Sequence, residues 1–188
     1  MEDSSIINLE VTKTILNLGS GFKKIDGATN IDGNKRTDPD LVLDIRKLDT
    51  VYKPDTVDEV HIYHVLEHFT ILDATKILTD VFSILKPGGF VVLEMPDIMK
   101  CAINLLQAKT DGDPFRVERL GLLGFYGEKP EEGEEETNEF MLHRWGFWPE
   151  YLGGILNTIG YTAIVEEEPQ TKDFSAKSRD FRMVGAKF

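Results

Sequence analysis

The stretch Thr14-Ile15-Leu16-Asn17-Leu18-Gly19-Ser20-Gly21 (TILNLGSG) decides the fold. Its first five residues form a short aliphatic and β-branched run that stops at two glycines flanking a serine, as a buried strand running into a tight turn does. Working outward, the same pattern recurs. Ala28 to Asp32 (ATNID) and Leu41 to Ile45 (LVLDI) are short apolar runs with an acid at or near the C-terminal end, and Val57 to Tyr63 (VDEVHIY) is a fourth candidate strand. Leu72 to Leu85 carries apolar residues close to helical spacing and ends at Lys86-Pro87-Gly88-Gly89, after which Phe90 to Met95 reads as a fifth strand. Strands alternating with helical or loop crossovers predict a parallel sheet covered on both faces. Ile98 to Ala108 reads as helix, Asp111 to Leu142 shows no sustained period, and Trp148 to Ile159 resumes a helical pattern. Tyr161 to Val165 and Phe181 to Phe188 then supply a closing antiparallel pair. The expected class is α/β, a Rossmann-like, doubly wound, mostly parallel seven-stranded sheet. It has a shortened first crossover and a lid insertion over about residues 110–142.

A chain of 188 residues suits a single domain spanning residues 1–188. The net charge of −12 disfavours nonspecific binding to phosphate backbones, so no nucleic-acid partner is expected. Much of the acidity lies in EKPEEGEEE, Glu128 to Glu136, a solvated loop by composition. No apolar run approaches the roughly 20 residues of a membrane-spanning helix, and no membrane partner is expected. The N-terminal MEDSSIINLEVTK lacks a basic start and an apolar core, so a cytoplasmic location is expected rather than secretion. The single cysteine, Cys101, forms neither an internal disulfide nor a cysteine-based zinc site.

In open parallel sheets ligands bind beyond the carboxyl ends of the strands, which singles out Gly19 to Gly21, Asp32, Asp44, His64 to His68 and Pro96-Asp97. Glycines at 19 and 21 let the backbone turn sharply and approach a ligand closely. Asp32 suits the acceptance of hydrogen bonds from a ribose diol. Asp44 suits an adenine amino group, with the amides of Ile45 or Arg46 donating to a ring nitrogen.

These pieces resemble the class I S-adenosylmethionine-dependent methyltransferases, especially small bacterial and phage-type members with HVLEH after the fourth strand. The resemblance rests on ILNLGSG (15–21), NID (30–32), LVLDI (41–45), VDEVHIYHVLEHF (57–69), LKPGGFVVLEMPD (85–97) and RWGFWPEYLGGILNTIGY (144–161), in that order. It implies S-adenosylmethionine as cofactor. Gly19 and Gly21 would line its methionine part, Asp32 would hold the ribose and Asp44 the adenine, His64, Val65 and Leu66 would pass close by, and Asn17, Leu18, Ser20, Gly33 and Ile45 would complete the cofactor site. There are two departures: Lys23 replaces the third glycine of G-x-G-x-G, and Gly19 lies too few residues before Asp32 for a full first helix. NAD fits less well, because Lys24 occupies the third glycine of G-x-G-x-x-G and the acid arrives early.

Methyl transfer from a sulfonium needs alignment, and a base when the acceptor holds a proton. His68, Asp97 and His143 are the candidate bases. The expected partner is a small-molecule or glycan acceptor, and the sequence names neither the acceptor atom nor the oligomeric state. The alternative is a noncatalytic Rossmann-like domain that binds the cofactor weakly or not at all, a reading the missing third glycine favours. His64 and His68 frame H-x-x-E-H, an inverted zinc motif. The segment straddles a predicted strand end, however, so no metal is assigned to it.

Overall fold

The computed structural model describes residues 13–128, 141–170 and 176–188. Seven strands form one sheet: β1 (Ile15–Leu18), β2 (Thr29–Asp32), β3 (Leu41–Val42), β4 (Val57–Tyr63), β5 (Leu85–Pro96), β6 (Thr162–Glu167) and β7 (Asp180–Ala186). Their order is β3-β2-β1-β4-β5-β7-β6. The first five pair in parallel, and β7 runs antiparallel to both β5 and β6. The chain thus steps one way from β1 to β3 and the other way from β4 to β5. Strands β1 and β4, with Leu18 opposite Ile62, flank the switch point where open sheets of this kind bind ligands.

The helices are α1 (Ile71–Ile84), α2 (Ile98–Asp111), α3 (Leu123–Tyr126), α4 (Pro149–Ile159) and the single turn α5 (Ala176–Arg179). Thr70 starts α1: its hydroxyl accepts from the Asp73 amide and donates to the Asp73 carboxylate, closing a reciprocal cap. Buried Ala74, Ile77, Leu78, Val81 and Ile84 form one stripe of α1 at helical spacing. They pack with Leu152 and Leu156 of α4 onto Leu16, Leu18, Ile31, Val60, Ile62, Val91 and Leu93, which share one face of the sheet. Tyr161 is buried beside them and its hydroxyl donates to the Leu78 carbonyl at 2.9 Å.

The opposite face differs in character from this one. Register places Asn17, Glu59, His61, Tyr63, Glu94 and Arg182 there, a polar ladder rather than a second apolar core. The reason is topological. Right-handed crossovers from β1 to β2 and from β2 to β3 belong on the face opposite α1. Here they hold no α-helix, only turns over residues 19–28 and a 3-10 turn at Lys35–Thr37. The shortened first crossover is therefore present as expected, and the second is shortened too.

Several elements differ from the sequence expectation. β3 stops at Val42 because Asp44 already caps the 3-10 helix Ile45–Thr50. β5 begins at Leu85, whose backbone pairs with Val57 before a register shift across Lys86 to Gly89. Arg116–Leu122 forms a π-helical stretch running into α3, where no periodicity was expected. Residues 129–140 of the insertion, with nearly all of the acidic run, lie outside the described residues. No helix among the described residues is long and apolar enough to cross a membrane.

Candidate functional site

The glycine turn is built by local chemistry. Gly19 and Gly21 have φ of +66° and +50°, in the left-handed region where side chains are strained. A Cβ built on Gly19 would lie 2.5 Å from Val65 Cγ2, so this glycine is also the point where the turn presses on the segment after β4. The turn is tied to β2 by the Ser20 amide, which donates to the Ile31 carbonyl at 3.0 Å, and by the Gly21 amide, which donates to Asp32 Oδ2 at 2.8 Å. Asn17 is buried and donates to the Lys23 carbonyl and to Asn30 Oδ1, which braces the turn from beneath. Leu18 is fully buried in the core, so only its backbone is placed to face a ligand.

Asp32 also accepts from the Asn34 amide through Oδ1, at 2.7 Å. Each of its oxygens therefore takes one backbone amide and keeps a lone pair for a hydroxyl donor, and Gly33 follows directly. Asp44 is held differently. It accepts from the Arg46 amide and forms a two-pronged ion pair with the Arg46 guanidinium, 2.7 Å at the shortest. Arg46 keeps the Asp44 carboxyl below its usual range, and its guanidinium lies 5.9 Å from the Phe69 ring centre. Ile45 is buried, leaving its backbone as the available group.

At the end of β4, His64 holds φ of +55°, a strained value for a residue with a side chain. Its amide donates to the Glu94 carbonyl at 2.8 Å, and its ring sits between Glu67 and Asp180, 3.4 Å from each. Burial alone would lower the His64 pKa. The Asp180 and Glu67 carboxylates outweigh burial and raise it, which keeps the ring protonated. Burial would likewise raise Glu67, but the neighbouring histidines, His64 foremost, hold it ionised. Val65 and Leu66 are buried behind this pair.

The candidate bases occupy distinct settings. Asp97 is buried and caps α2, its Oδ1 accepting from the Met99 and Lys100 amides. His68 and His143 meet edge to face, with ring centres 4.9 Å apart. The His143 Nδ1–H donates to the Gly124 carbonyl at 2.8 Å, which leaves Nε2 bare, and burial lowers the pKa of this ring. The segment around His143 is latched to the end of β4, because the Arg144 and Trp145 amides both donate to the Glu67 carbonyl. His143, Phe125, Arg144, Trp145, Trp148 and Tyr151 border a cavity of about 510 Å³.

Buried polar atoms without a hydrogen-bond partner are uncommon and point to a ligand or a strained function. Among the described residues they belong to Ser20, His64, Glu67 and Arg116. Three of the four lie at the carboxyl ends of β1 and β4. Sequence reasoning named Ser20 and His64, took in Glu67 only as part of the stretch His64 to His68 without giving it a role, and left out Asp180. Glu67 sits inside HVLEH and was legible there. Asp180 carries no local signal, because only the antiparallel pairing of Pro96 with Asp180 brings it beside His64.

No protein-family profile matches the chain, and no curated protein matches it in sequence. Solved structures do. An S-adenosylmethionine-dependent methyltransferase from Methanosarcina mazei superposes with a TM-score of 0.65 and 20% identity, over 96% of this chain and 94% of that one. Another from Archaeoglobus fulgidus gives 0.62 at 16% identity, over 94% and 87%. A protein of Pyrococcus horikoshii OT3 gives 0.56 at 16%, over 96% and 84%. At such identities the likeness is one of architecture: the chain has the Rossmann-like fold found in S-adenosylmethionine-dependent methyltransferases.

Proposed function

We propose that the protein is an S-adenosylmethionine-dependent methyltransferase acting on a small-molecule or glycan-type acceptor. The observation that carries this reading is the gathering of buried polar atoms without a hydrogen-bond partner, from Ser20, His64 and Glu67, at the switch point of the sheet. The residues fit the group. Gly19 and Gly21 leave backbone rather than side chain at the turn, and Asp32, fixed by two amides, retains acceptor capacity for a ribose diol. Asp44 and the Ile45 backbone would take the adenine, with Arg46 sharing the carboxylate. When bound, the cofactor supplies a methyl group on a sulfonium centre, which an acceptor lone pair takes by in-line displacement.

The protein's part is then alignment and exclusion of water. The aromatic cavity beside His143 would seat the acceptor, and the latch of Arg144 and Trp145 onto Glu67 holds that wall against the end of β4. His143, neutral and with Nε2 bare, can take a proton from a hydroxyl or amine acceptor. The alternative reading is a noncatalytic domain that keeps the fold and binds the cofactor weakly or not at all.

Transfer of labelled methyl from S-adenosylmethionine into a fractionated small-metabolite extract separates the two. The methyltransferase reading predicts labelled product in at least one fraction with the native chain and none with Asp32→Ala. Equal labelling by both proteins, or none by either, would contradict it.

A further inference from the structure

The H-x-x-E-H segment does not form the helical pair that its spacing suggests. His64 closes a strand in a left-handed conformation, and His68 ends a 3-10 turn, Leu66–His68. What the fold assembles instead is a different trio. Glu67, His68 and His143 each place one ligand atom within 4.8 Å of the others.

The three side chains are prepared as ligands. Glu67 is 2% exposed, yet neither of its oxygens accepts a hydrogen bond. A buried carboxylate is costly unless cations or donors offset the lost water. His64 lies 3.4 Å from one oxygen of Glu67, but Asp180 lies equally close to the same imidazole, so one ring is shared between two acids. Room for further positive charge therefore remains at Glu67. The Nδ1–H of His143 donates to the Gly124 carbonyl, and His68 Nδ1 lies 3.4 Å from the Leu142 carbonyl. A backbone carbonyl on one nitrogen is the usual outer support of a metal-ligating histidine, since it fixes the ring and leaves the other nitrogen's lone pair free. His143 comes from the latched segment and His68 from the end of β4, so an ion there would bridge two walls of the site.

We propose that Glu67, His68 and His143 form a binding site for one divalent transition-metal ion, at the edge of the cavity that His143 borders. Two imidazoles and one carboxylate suit zinc, cobalt or iron, and they leave coordination positions open for water or a donor atom of the bound acceptor. Ligand atoms around a tetrahedral ion stand ~3.4 Å apart, so binding draws the trio inward, mainly by rotation of the half-exposed His68. With the ion in place, His143 is a ligand rather than a proton acceptor. The inference stands apart from the cofactor reading.

Cobalt supplies the test, because Co²⁺ in a nitrogen and oxygen site of low coordination absorbs in the visible. The full chain, stripped with a chelator and titrated with Co²⁺ at neutral pH, should take up a single ion with visible bands that Zn²⁺ abolishes. His68→Ala and His143→Ala should each weaken binding roughly tenfold or more. His61→Ala, on the polar face of the sheet, should leave binding unchanged. His68 is half-exposed, so its variant carries the test even if changes at buried Glu67 unfold the chain. Absence of bands in the native chain, or bands undiminished in both the His68 and the His143 variants, would overturn the site. S-adenosylhomocysteine binding by the same preparations is read separately and decides the cofactor question alone.

Discussion

Gly19 and Gly21 have the same sign of φ but different surroundings. A side chain at Gly21 meets nothing within 4 Å, whereas one at Gly19 meets Val65. Gly21→Ala should therefore cost only the left-handed strain, about 1 kcal/mol. Gly19→Ala adds a steric clash and should cost about 3 kcal/mol, with loss of ligand binding. Urea denaturation of the two variants checks the ordering, and equal losses would mean that Val65 yields freely. Cys101 makes a second contrast. Burial pushes its thiol up to about 12, and Gly124 packs directly on its sulfur. Its thiolate fraction is then negligible at neutral pH, so a disulfide reagent should label it only as fast as the protein unfolds. Labelling at the rate of a free thiol under native conditions would contradict the packing.

Asp97 illustrates how an element can claim a residue that sequence position offers to chemistry. It follows the C-terminal end of β5, where catalytic groups gather, yet its carboxylate caps α2. Asp97→Ala should lower stability by about 1 kcal/mol. Asp97→Asn, which caps as well, should preserve both stability and any methyl-transfer activity. A large loss of turnover in the asparagine variant with stability intact would restore Asp97 as a base. The strands and the two long helices were legible because hydrophobic runs, helical spacing and glycine stops act locally. β4 was read with both boundaries in place, and α1 within one residue at each end. Where register decides, the sequence was silent. The early start of β5 at Leu85 depends on pairing with Val57, and the π-helical stretch Arg116–Leu122 arises where glycines and α2 crowd together rather than from a hydrophobic period. The glycine turn and both acids were legible as a candidate site. The meeting of His68 with His143 was not, since it depends on the chain returning to the end of β4 after the whole insertion.

At the scale of the molecule, loss of helices from the first two crossovers leaves one face of the sheet to a charged ladder. Arg182 lies at its centre, bonded to Glu94, Glu167 and the Tyr63 hydroxyl, with its guanidinium 5.4 Å from the Tyr63 ring centre. Removing one partner of a buried ion pair strands the other, so Arg182→Ala should cost about 3 kcal/mol, measured by thermal or urea unfolding. A change below about 0.5 kcal/mol would show that the ladder is no more than a solvated surface. The same economy of helices leaves the glycine turn to be held by Asp32, Asn17 and Val65 instead of by a helix that starts after it. Whether such a turn holds a cofactor is the central question, and calorimetric titration of the purified chain with S-adenosylhomocysteine answers it most directly. Binding of one ligand per chain in the micromolar range, abolished by Asp32→Ala while the variant stays folded, is the expected result. No heat from the native chain at high ligand concentration, or unchanged binding in Asp32→Ala, would contradict the assignment of this site.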